Sequence, residues 1–328
     1  MTTDDKLIEN MRKILHERGI TALEMAKTSA LKNSLSFKPA SEALNYFFNE
    51  IWYDVLHPGL ISLACESVGG NPATTTKTGA AIVLLSAAAD IHDDVIDQSK
   101  TKDDKKTVFG KFGKDIAILL GDELLFEGLY LLHEACELLP MQQKKAVLEL
   151  VKKAFLGMGS AEAEEASLRG RFDLPAEEYS RIIEAKVAVG EATMKLGAVL
   201  GGGTLQEIDT LGHYGRTLGI LMISRDEIVD VFEADELQNR AKNECLPLPV
   251  LLAFNDPQRK DKITMLLENS KLTERQVDEI VKLVMDSPAV NKLKKNMIKL
   301  VNDEVILLDN IGCKGSLELI LSSILEGI

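Results

Sequence analysis

Apolar residues recur at three- and four-residue intervals along nearly the whole chain, which is the spacing of a helix with one buried face. Few stretches show the alternation of Val, Ile and Thr that marks strands. Segment 115–138 places apolar residues on more than one face, as expected of a helix inside a bundle. These residues are Ile116, Leu119, Leu120, Leu124, Phe126, Leu131 and Leu132. The pattern predicts an all-α fold of some ten or more helices.

Clusters of Pro and Gly mark the predicted helix boundaries, because these residues interrupt helices. They occur before Pro58, at 69–72, at Pro140, before Pro175, at 201–204, at 245–249 and at 255–257. None of these is a long linker, and no repeat of fixed period occurs. We therefore expect residues 1–328 to form a single domain.

Composition narrows the possible functions. The 328 residues are 45% hydrophobic, which is enough for a large core, and 51 acidic against 38 basic residues give a net charge of -13. This charge argues against nucleic acids and anionic membrane surfaces as partners. The start MTTDDKLIEN lacks signal-peptide features, and no run of about 18 apolar residues occurs. We expect a cytoplasmic protein without stable membrane insertion, with four reduced and mostly buried cysteines.

Four aspartates lie on one face of a predicted helix, at positions i, i+3, i+4 and i+7. They are Asp90, Asp93, Asp94 and Asp97. A solvated acidic face is one interpretation, but the preceding segment 80–89 is small and apolar, so most of this helix is expected in the core. The helical spacing argues against a calcium loop. Carboxylates one turn apart suit Mg²⁺, which completes its coordination with water and substrate phosphate oxygens.

The sequence RDEIVD contains a second acidic cluster with an i, i+1, i+4 spacing that also occurs in the first. Its members are Asp226, Glu227 and Asp230. Both clusters lie in predicted helices with apolar flanks. Two such helices facing each other could hold a diphosphate through bridging metal ions.

These motifs resemble those of the polyprenyl synthetase family, the trans-isoprenyl diphosphate synthases, which carry two Asp-rich motifs on opposite helices of an all-α fold. The sequence HDDVID at 92–97 is similar to the first motif, and VFGKFGKDIAILLGDELL at 108–125 to a block that follows it. RDEIVDVF and LPLPVLLA, at 225–232 and 246–253, are similar to the second motif and its downstream segment. Lys186 falls where the family has a diphosphate-binding Lys.

The resemblance implies an isoprenoid synthase-type helical bundle with a central cavity, an allylic prenyl diphosphate as substrate and three Mg²⁺ ions. It implies a homodimer, or a heterodimer with a complete synthase. The expected metal ligands are Asp93, Asp94, Asp97, Asp226, Glu227 and Asp230. The expected catalytic residues are Asp93, Asp94, Asp97, Asp226 and Lys186. The expected substrate-binding residues are Lys186, Lys102, Arg225, Ala88 and Ala89.

The chain departs from the family at the site of the second substrate, isopentenyl diphosphate. Asp54, Val55 and His57 stand where the family has one Lys and two Arg. Lys102 and Asp103 stand where the family has two Arg after the first motif. A diphosphate needs opposite charge nearby, and Asp54 and Asp103 would oppose it. We therefore expect the second diphosphate site to be lost.

Three functions stay open. The first is an enzyme that ionises a prenyl diphosphate and passes the cation to an internal double bond, to water or to an acceptor without a diphosphate. The second is a non-catalytic or modifying subunit of a heteromeric synthase. The third is ordinary head-to-tail elongation with a rebuilt acceptor site.

The size of the substrate depends on the residues before the first motif, because the resemblance implies that the prenyl chain runs along that helix. Ala88 and Ala89 leave this space open, so we expect a chain of fifteen to twenty carbons. Glu162 and Glu164 stand near the place of an acidic residue of the family, and we interpret both as solvated carboxylates.

Overall fold

The structure, a computed structural model, describes residues 3–102, 104–269 and 272–326, and this part of the chain is almost entirely helical. The helices are α1 (Thr3–Lys32), α2 (Lys38–Tyr46), α3 (Leu56–Ser67), α4 (Thr76–Ile96), α5 (Val108–Phe112), α6 (Lys114–Cys136), α7 (Met141–Ser167), α8 (Ala176–Lys186), α9 (Ala188–Leu200), α10 (Leu205–Val229), α11 (Ala234–Asn243), α12 (Leu248–Ala253), α13 (Pro257–Leu267), α14 (Glu274–Met285), α15 (Pro288–Leu307) and α16 (Lys314–Ile324). A π-helical turn (Phe47–Ile51) and 3₁₀ turns (Pro72–Thr75, Asp230–Phe232) complete the helical elements. The all-α prediction is confirmed.

Helix α4 lies in the centre of the largest apolar cluster. Its residues 78–85, 87 and 88 are buried, which explains the run of small and apolar residues before the first acidic motif. Small side chains let neighbouring helices approach closely, and α1, α3 and α6 all pack against α4. The acidic end of α4 is therefore held by a rigid helix.

Helix α10 carries the second acidic motif at its carboxyl end. Its amino end is fixed by a capping box, in which Glu207 accepts a hydrogen bond from the Thr204 backbone N–H and the Thr204 hydroxyl accepts one from the Glu207 N–H. Near its middle α10 crosses α9 where Gly215 meets Gly190. A Cβ atom at Gly190 would lie 2.5 Å from the Gly215 carbonyl oxygen, so only glycine allows this approach.

The Pro and Gly clusters separate helices as predicted, and α3 begins at Leu56, shortly before Pro58. A two-stranded antiparallel hairpin, β1 (Thr101–Lys102) with β2 (Lys105–Lys106), follows the first acidic motif and was not predicted. Helix α6 corresponds to the predicted segment 115–138, but it is not buried on all sides. Leu119 and Phe126 are 53% and 73% exposed in the single chain, which corrects the prediction for these two residues.

The burial of the cysteines agrees with the expectation from composition. Cys65, Cys136 and Cys245 are buried free thiols, and Cys313 is a partly exposed one. In the described part of the chain, every helix is too short or too polar to span a bilayer.

Candidate active site

The first acidic cluster lies at the carboxyl end of α4. Two of its four aspartates form ion pairs. Asp90 lies 3.0 Å from the Lys102 ammonium, and Asp97 lies 2.9 Å from the guanidinium of Arg169. Lys102 was predicted to bind substrate, whereas Arg169 was not predicted.

The other two aspartates of this cluster, Asp93 and Asp94, have no hydrogen-bond or ion-pair partner for their side chains among the described residues. Burial, together with the charges of Asp97 and Glu162, raises the pKa of Asp93 well above its ordinary value. Burial and Asp90 raise the pKa of Asp94 to about 7. Burial and the neighbouring carboxylates therefore outweigh the nearby positive charges, which are those of Lys186 and Lys102 for Asp93 and that of Lys102 for Asp94.

Asp226 near the end of α10 is a third carboxylate without a side-chain partner in the described residues. Its side chain reaches solvent, yet the surrounding protein and the charge of Asp230 raise its pKa to about 6. The positive charges of Arg225 and Lys102 lower the pKa of Asp226. Since Lys102 also lowers the pKa of Asp94, this lysine lies between the two acidic clusters.

Glu227, which was predicted as a metal ligand, is engaged by protein partners. It is buried, and its Oε1 accepts hydrogen bonds of 2.9 Å from the Tyr179 hydroxyl and from Arg240. Its Oε2 accepts one from the Leu248 backbone N–H. The Arg240 guanidinium also binds Asp230, which leaves Asp226 as the member of the motif with no bound partner.

Lys186 lies at the end of α8 between two carboxylates of α7. Its ammonium is 2.9 Å from Glu162 and also contacts Glu165, which accepts a hydrogen bond from Tyr179. Burial lowers the pKa of Lys186, but Glu165 and Glu162 outweigh it and raise the pKa overall. The interpretation of Glu162 as solvated is therefore wrong, because it is partly buried and paired, whereas Glu164 is exposed as expected.

Sequence reasoning missed Glu165, Arg169, Tyr179 and Arg240. Glu165 stands three residues after Glu162, so its position on the same helical face was a usable signal. Arg169 and Tyr179 are remote in sequence from both acidic motifs, and Arg240 lies on a different helix from Asp230, ten residues further along. Residue spacing therefore gives no indication of their contacts.

An apolar cavity of about 290 Å³ lies beside these charged groups. One face of α4 forms a wall with Ile82, Leu85, Ser86 and Ala89, and residues of α7 and α9 form the others. Asp90, Asp93 and Glu162 also line the cavity. Ala89 is therefore on the wall as predicted, whereas Ala88 is buried in the core cluster and does not contact the cavity, which corrects that prediction.

Asp54 does not project a free charge toward a second diphosphate. It is buried, and its Oδ2 lies 2.7 Å from Nδ1 of His57, which also lines the cavity. Burial raises the pKa of Asp54, but the paired His57 lowers it further, so the overall shift is downward. The Asp54 carboxylate is thus paired with His57, which the expectation from charge alone did not include. Asp103 lies outside the described residues.

The unpaired carboxylates fit Mg²⁺. Within the described residues, no three His, Cys, Asp or Glu side chains form a ready-made metal site. Mg²⁺ commonly uses one or two carboxylates and takes its other ligands from water and substrate phosphate. Asp93, Asp94 and Asp226, whose pKa values are all raised, are carboxylates that a cation would stabilise.

Comparison with known proteins gives one family. The polyprenyl synthetase family matches residues 55–284. The chain is 31% identical over 185 residues to a short chain isoprenyl diphosphate synthase of Methanothermobacter thermautotrophicus, covering 55% of both proteins. It is 33% identical over 190 residues to geranylgeranyl pyrophosphate synthase 12, chloroplastic, of Arabidopsis thaliana, covering 55% of this chain and 52% of that one. The matches thus span about half the length of these relatives.

The fold also has a solved counterpart. Geranylgeranyl pyrophosphate synthetase from Pyrococcus horikoshii superposes with a TM-score of 0.83 at 22% identity, covering 98% of this chain and 99% of that chain. At this identity the likeness concerns the fold, which is the helical bundle with a central cavity.

Proposed function

Because the chain belongs to the polyprenyl synthetase family, we propose that it is a Mg²⁺-dependent enzyme that binds an allylic prenyl diphosphate and breaks its C–O bond. One observation carries this proposal. The unpaired carboxylates Asp93, Asp94 and Asp226 lie on the two acidic helices, and Asp93 also lines the apolar cavity. A prenyl diphosphate has the matching form, with an anionic head and an apolar chain.

Asp93, Asp94 and Asp226 are the residues that would hold Mg²⁺, with Asp97 and Asp230 beside them. Three ions are expected with the diphosphate. When bound, the metal neutralises the leaving diphosphate and so favours cleavage of the C–O bond. Glu227 supports this arrangement only indirectly, by holding the end of α10.

The cations of the site are the candidates for direct contact with the diphosphate. Lys186 lies between α7 and α8, close enough to lower the pKa values of Asp93 and Asp97. Lys102 and Arg225 lie near the second cluster. These charges stabilise the leaving group as the C–O bond breaks. The apolar cavity then encloses the cation that remains on the prenyl chain.

We further propose that the cation is not passed to isopentenyl diphosphate. No Lys or Arg replaces the missing cations at positions 54, 55 and 57, and the His57 imidazole is paired with the Asp54 carboxylate. Ordinary elongation is the second candidate, and the synthase names of the related proteins favour it. A modifying subunit is the third, and it predicts binding without release of diphosphate.

A homodimer of one-domain chains is our proposal for the assembly. Helices α6 and α7 expose apolar side chains in the single chain, namely Leu119, Phe126, Leu129, Tyr130, Leu148, Phe155 and Leu156. Exposed apolar patches of this kind are typical of interfaces. We propose a cytoplasmic location for this dimer.

One experiment separates the three functions. Purified protein is incubated with C10, C15 or C20 allylic diphosphate and Mg²⁺, with and without labelled isopentenyl diphosphate, and both diphosphate release and products are measured. We expect Mg²⁺-dependent release that does not require isopentenyl diphosphate, and loss of release in Asp226→Asn. Efficient formation of a longer prenyl diphosphate would establish elongation. Binding of an allylic thiodiphosphate without any release would favour the subunit.

A further inference from the structure

The side chain of His57 is held in one orientation by Asp54. Oδ2 of Asp54 lies 2.7 Å from Nδ1 of the imidazole, and Oδ1 accepts hydrogen bonds of 2.9 and 3.1 Å from the backbone N–H groups of Leu56 and His57. The carboxylate is therefore fixed to the first turn of α3. Because an ionised carboxylate only accepts hydrogen bonds, Nδ1 carries a proton, and Nε2 has a lone pair whenever the ring is neutral.

The imidazole of His57 lies at the wall of the cavity. His57 is one of the cavity-lining residues, and its Nε2 has no hydrogen-bond partner among the described residues. Apart from the three carboxylates, the only other polar lining residues are Ser86 and Thr193, and the Thr193 hydroxyl already donates to the Val189 carbonyl oxygen. No Lys or Arg lines the described cavity.

We propose that His57 is a catalytic base, whose Nε2 removes a proton from the prenyl cation so that the product is a hydrocarbon with one additional double bond. This inference rests on the proposed ionisation of an allylic diphosphate. Asp54 is the positioning residue, because it acts on the substrate only through the imidazole. His57 and Asp54 would then supply new chemistry in the segment where the family binds a second diphosphate.

The step balances without any redox partner. The C–O bond breaks and both electrons leave with the diphosphate. A C–H bond next to the cationic carbon then breaks, its electrons form the new C=C bond, and the proton passes to Nε2. Exchange with water returns the ring to its neutral form. The overall change is loss of diphosphate and one proton from the substrate.

Two other roles for His57 fit the cavity less well. One imidazole whose charge is balanced by Asp54 does not match a diphosphate carrying several negative charges. An ordered attacking water requires two to four polar partners, and most of the residues that line this cavity are apolar. Asp54 also raises the pKa of His57 against the effect of burial, which makes the imidazole a stronger base than a free one.

The test compares His57→Asn with His213→Asn. His213 is a matched control, because its Nδ1 lies 2.6 Å from the buried carboxylate of Glu304 and it does not line the cavity. Each protein receives Mg²⁺ and the C15 and C20 diphosphates, and diphosphate release is measured together with the hydrocarbon and alcohol products. We expect His57→Asn to release diphosphate at a similar rate but to form hydrocarbon about a hundredfold more slowly, with prenyl alcohol in its place. His213→Asn should keep the wild-type products.

Several results would overturn the role of His57. They are an unchanged hydrocarbon share in His57→Asn, a parallel loss of diphosphate release, and a wild-type protein that releases diphosphate but forms no hydrocarbon. If the wild-type protein releases no diphosphate from any substrate, the proposed function fails as well. Should His57→Asn not fold, Asp54→Asn tests the same role of the imidazole. It keeps a capping oxygen on α3 but removes the charge that orients the ring, so the hydrocarbon share should fall while release continues.

Discussion

Arg240 and Glu227 form a buried ion pair, with the guanidinium Nη2 2.9 Å from the carboxylate Oε1 and only 7% and 6% of the two side chains exposed. The same guanidinium binds Asp230 and the Tyr179 hydroxyl. The three acidic residues of the second motif thus have different roles. Glu227 and Asp230 fix the end of α10 to α11, and this leaves Asp226 available for a metal ion.

Replacement of Glu227 by Gln should therefore affect stability more than metal use. The change removes one of the carboxylates paired with the buried Arg240 guanidinium, which keeps Asp230, so we expect the free energy of unfolding to fall by about 2 kcal/mol. The Mg²⁺ concentration for half-maximal diphosphate release should change little. Urea unfolding and a Mg²⁺ titration measure the two effects. Asp226→Asn should show the opposite pattern, and equal effects on Mg²⁺ use in both variants would contradict this division.

Replacement of Lys186 by Met should abolish most of the activity. The change removes a cation near the expected diphosphate and leaves Glu162 and Glu165 without it, so kcat/KM for diphosphate release should fall about a hundredfold or more. Lys195→Met is the control, since Lys195 is partly buried to a similar degree and pairs with Glu191 away from the cavity. A comparable loss in the control would show that both changes act through folding.

The melting temperature of the metal-free protein should fall as the pH rises from 5 to 8. The pKa of Asp94 is raised to about 7 and that of Asp226 to about 6, so between their unfolded and folded pKa values the folded state binds more protons than the unfolded state. Stability then decreases with rising pH. Calorimetry should show a smaller decrease in Asp94→Asn. Mg²⁺ should raise the melting temperature more at pH 8 than at pH 5, because protons compete with the metal.

Two adjacent alanines should respond differently to a larger side chain. Ala89→Leu adds volume to the cavity wall, and we expect KM to rise more for the C20 than for the C10 diphosphate while the fold stays intact. Ala88→Leu overpacks the core and should lower the free energy of unfolding by about 1–3 kcal/mol. Steady-state kinetics and urea unfolding distinguish them. A selective effect of Ala88→Leu on chain length would show that the cavity lies on the other face of α4.

Replacement of Phe126 by Glu should disrupt the proposed dimer. Phe126 is one of the exposed apolar side chains of α6 and α7, and a charge within an interface opposes association. Sedimentation velocity should show monomers for this variant and dimers for the wild type. Leu205→Glu is the control, because Leu205 is exposed at the start of α10 outside the patch. A wild-type monomer would exclude the interface.

Residue spacing was sufficient to locate both acidic helices and the face of each that carries the aspartates. It could not assign Glu227, because its partner Arg240 follows a 3₁₀ turn whose geometry sequence does not reveal. The prediction for Asp54 used its charge alone. An Asp that is followed three residues later by a His can nevertheless form a hydrogen-bonded pair with it at the start of a helix. The face of α4 that meets the cavity depends on how α7 and α9 pack, so Ala88 and Ala89 could not be separated beforehand.

The contact between Gly190 and Gly215 limits how this protein can diverge. Helix α9 supplies a cavity wall and α10 carries Asp226, and the two backbones touch at a point where no side chain fits. Neither helix can slide without moving the other, so a shift that reshaped the cavity would also displace the acidic motif. Substitutions of cavity-lining side chains can therefore change product specificity while α9 and α10 stay in place. Substitutions that shift either helix would also displace the acidic motif.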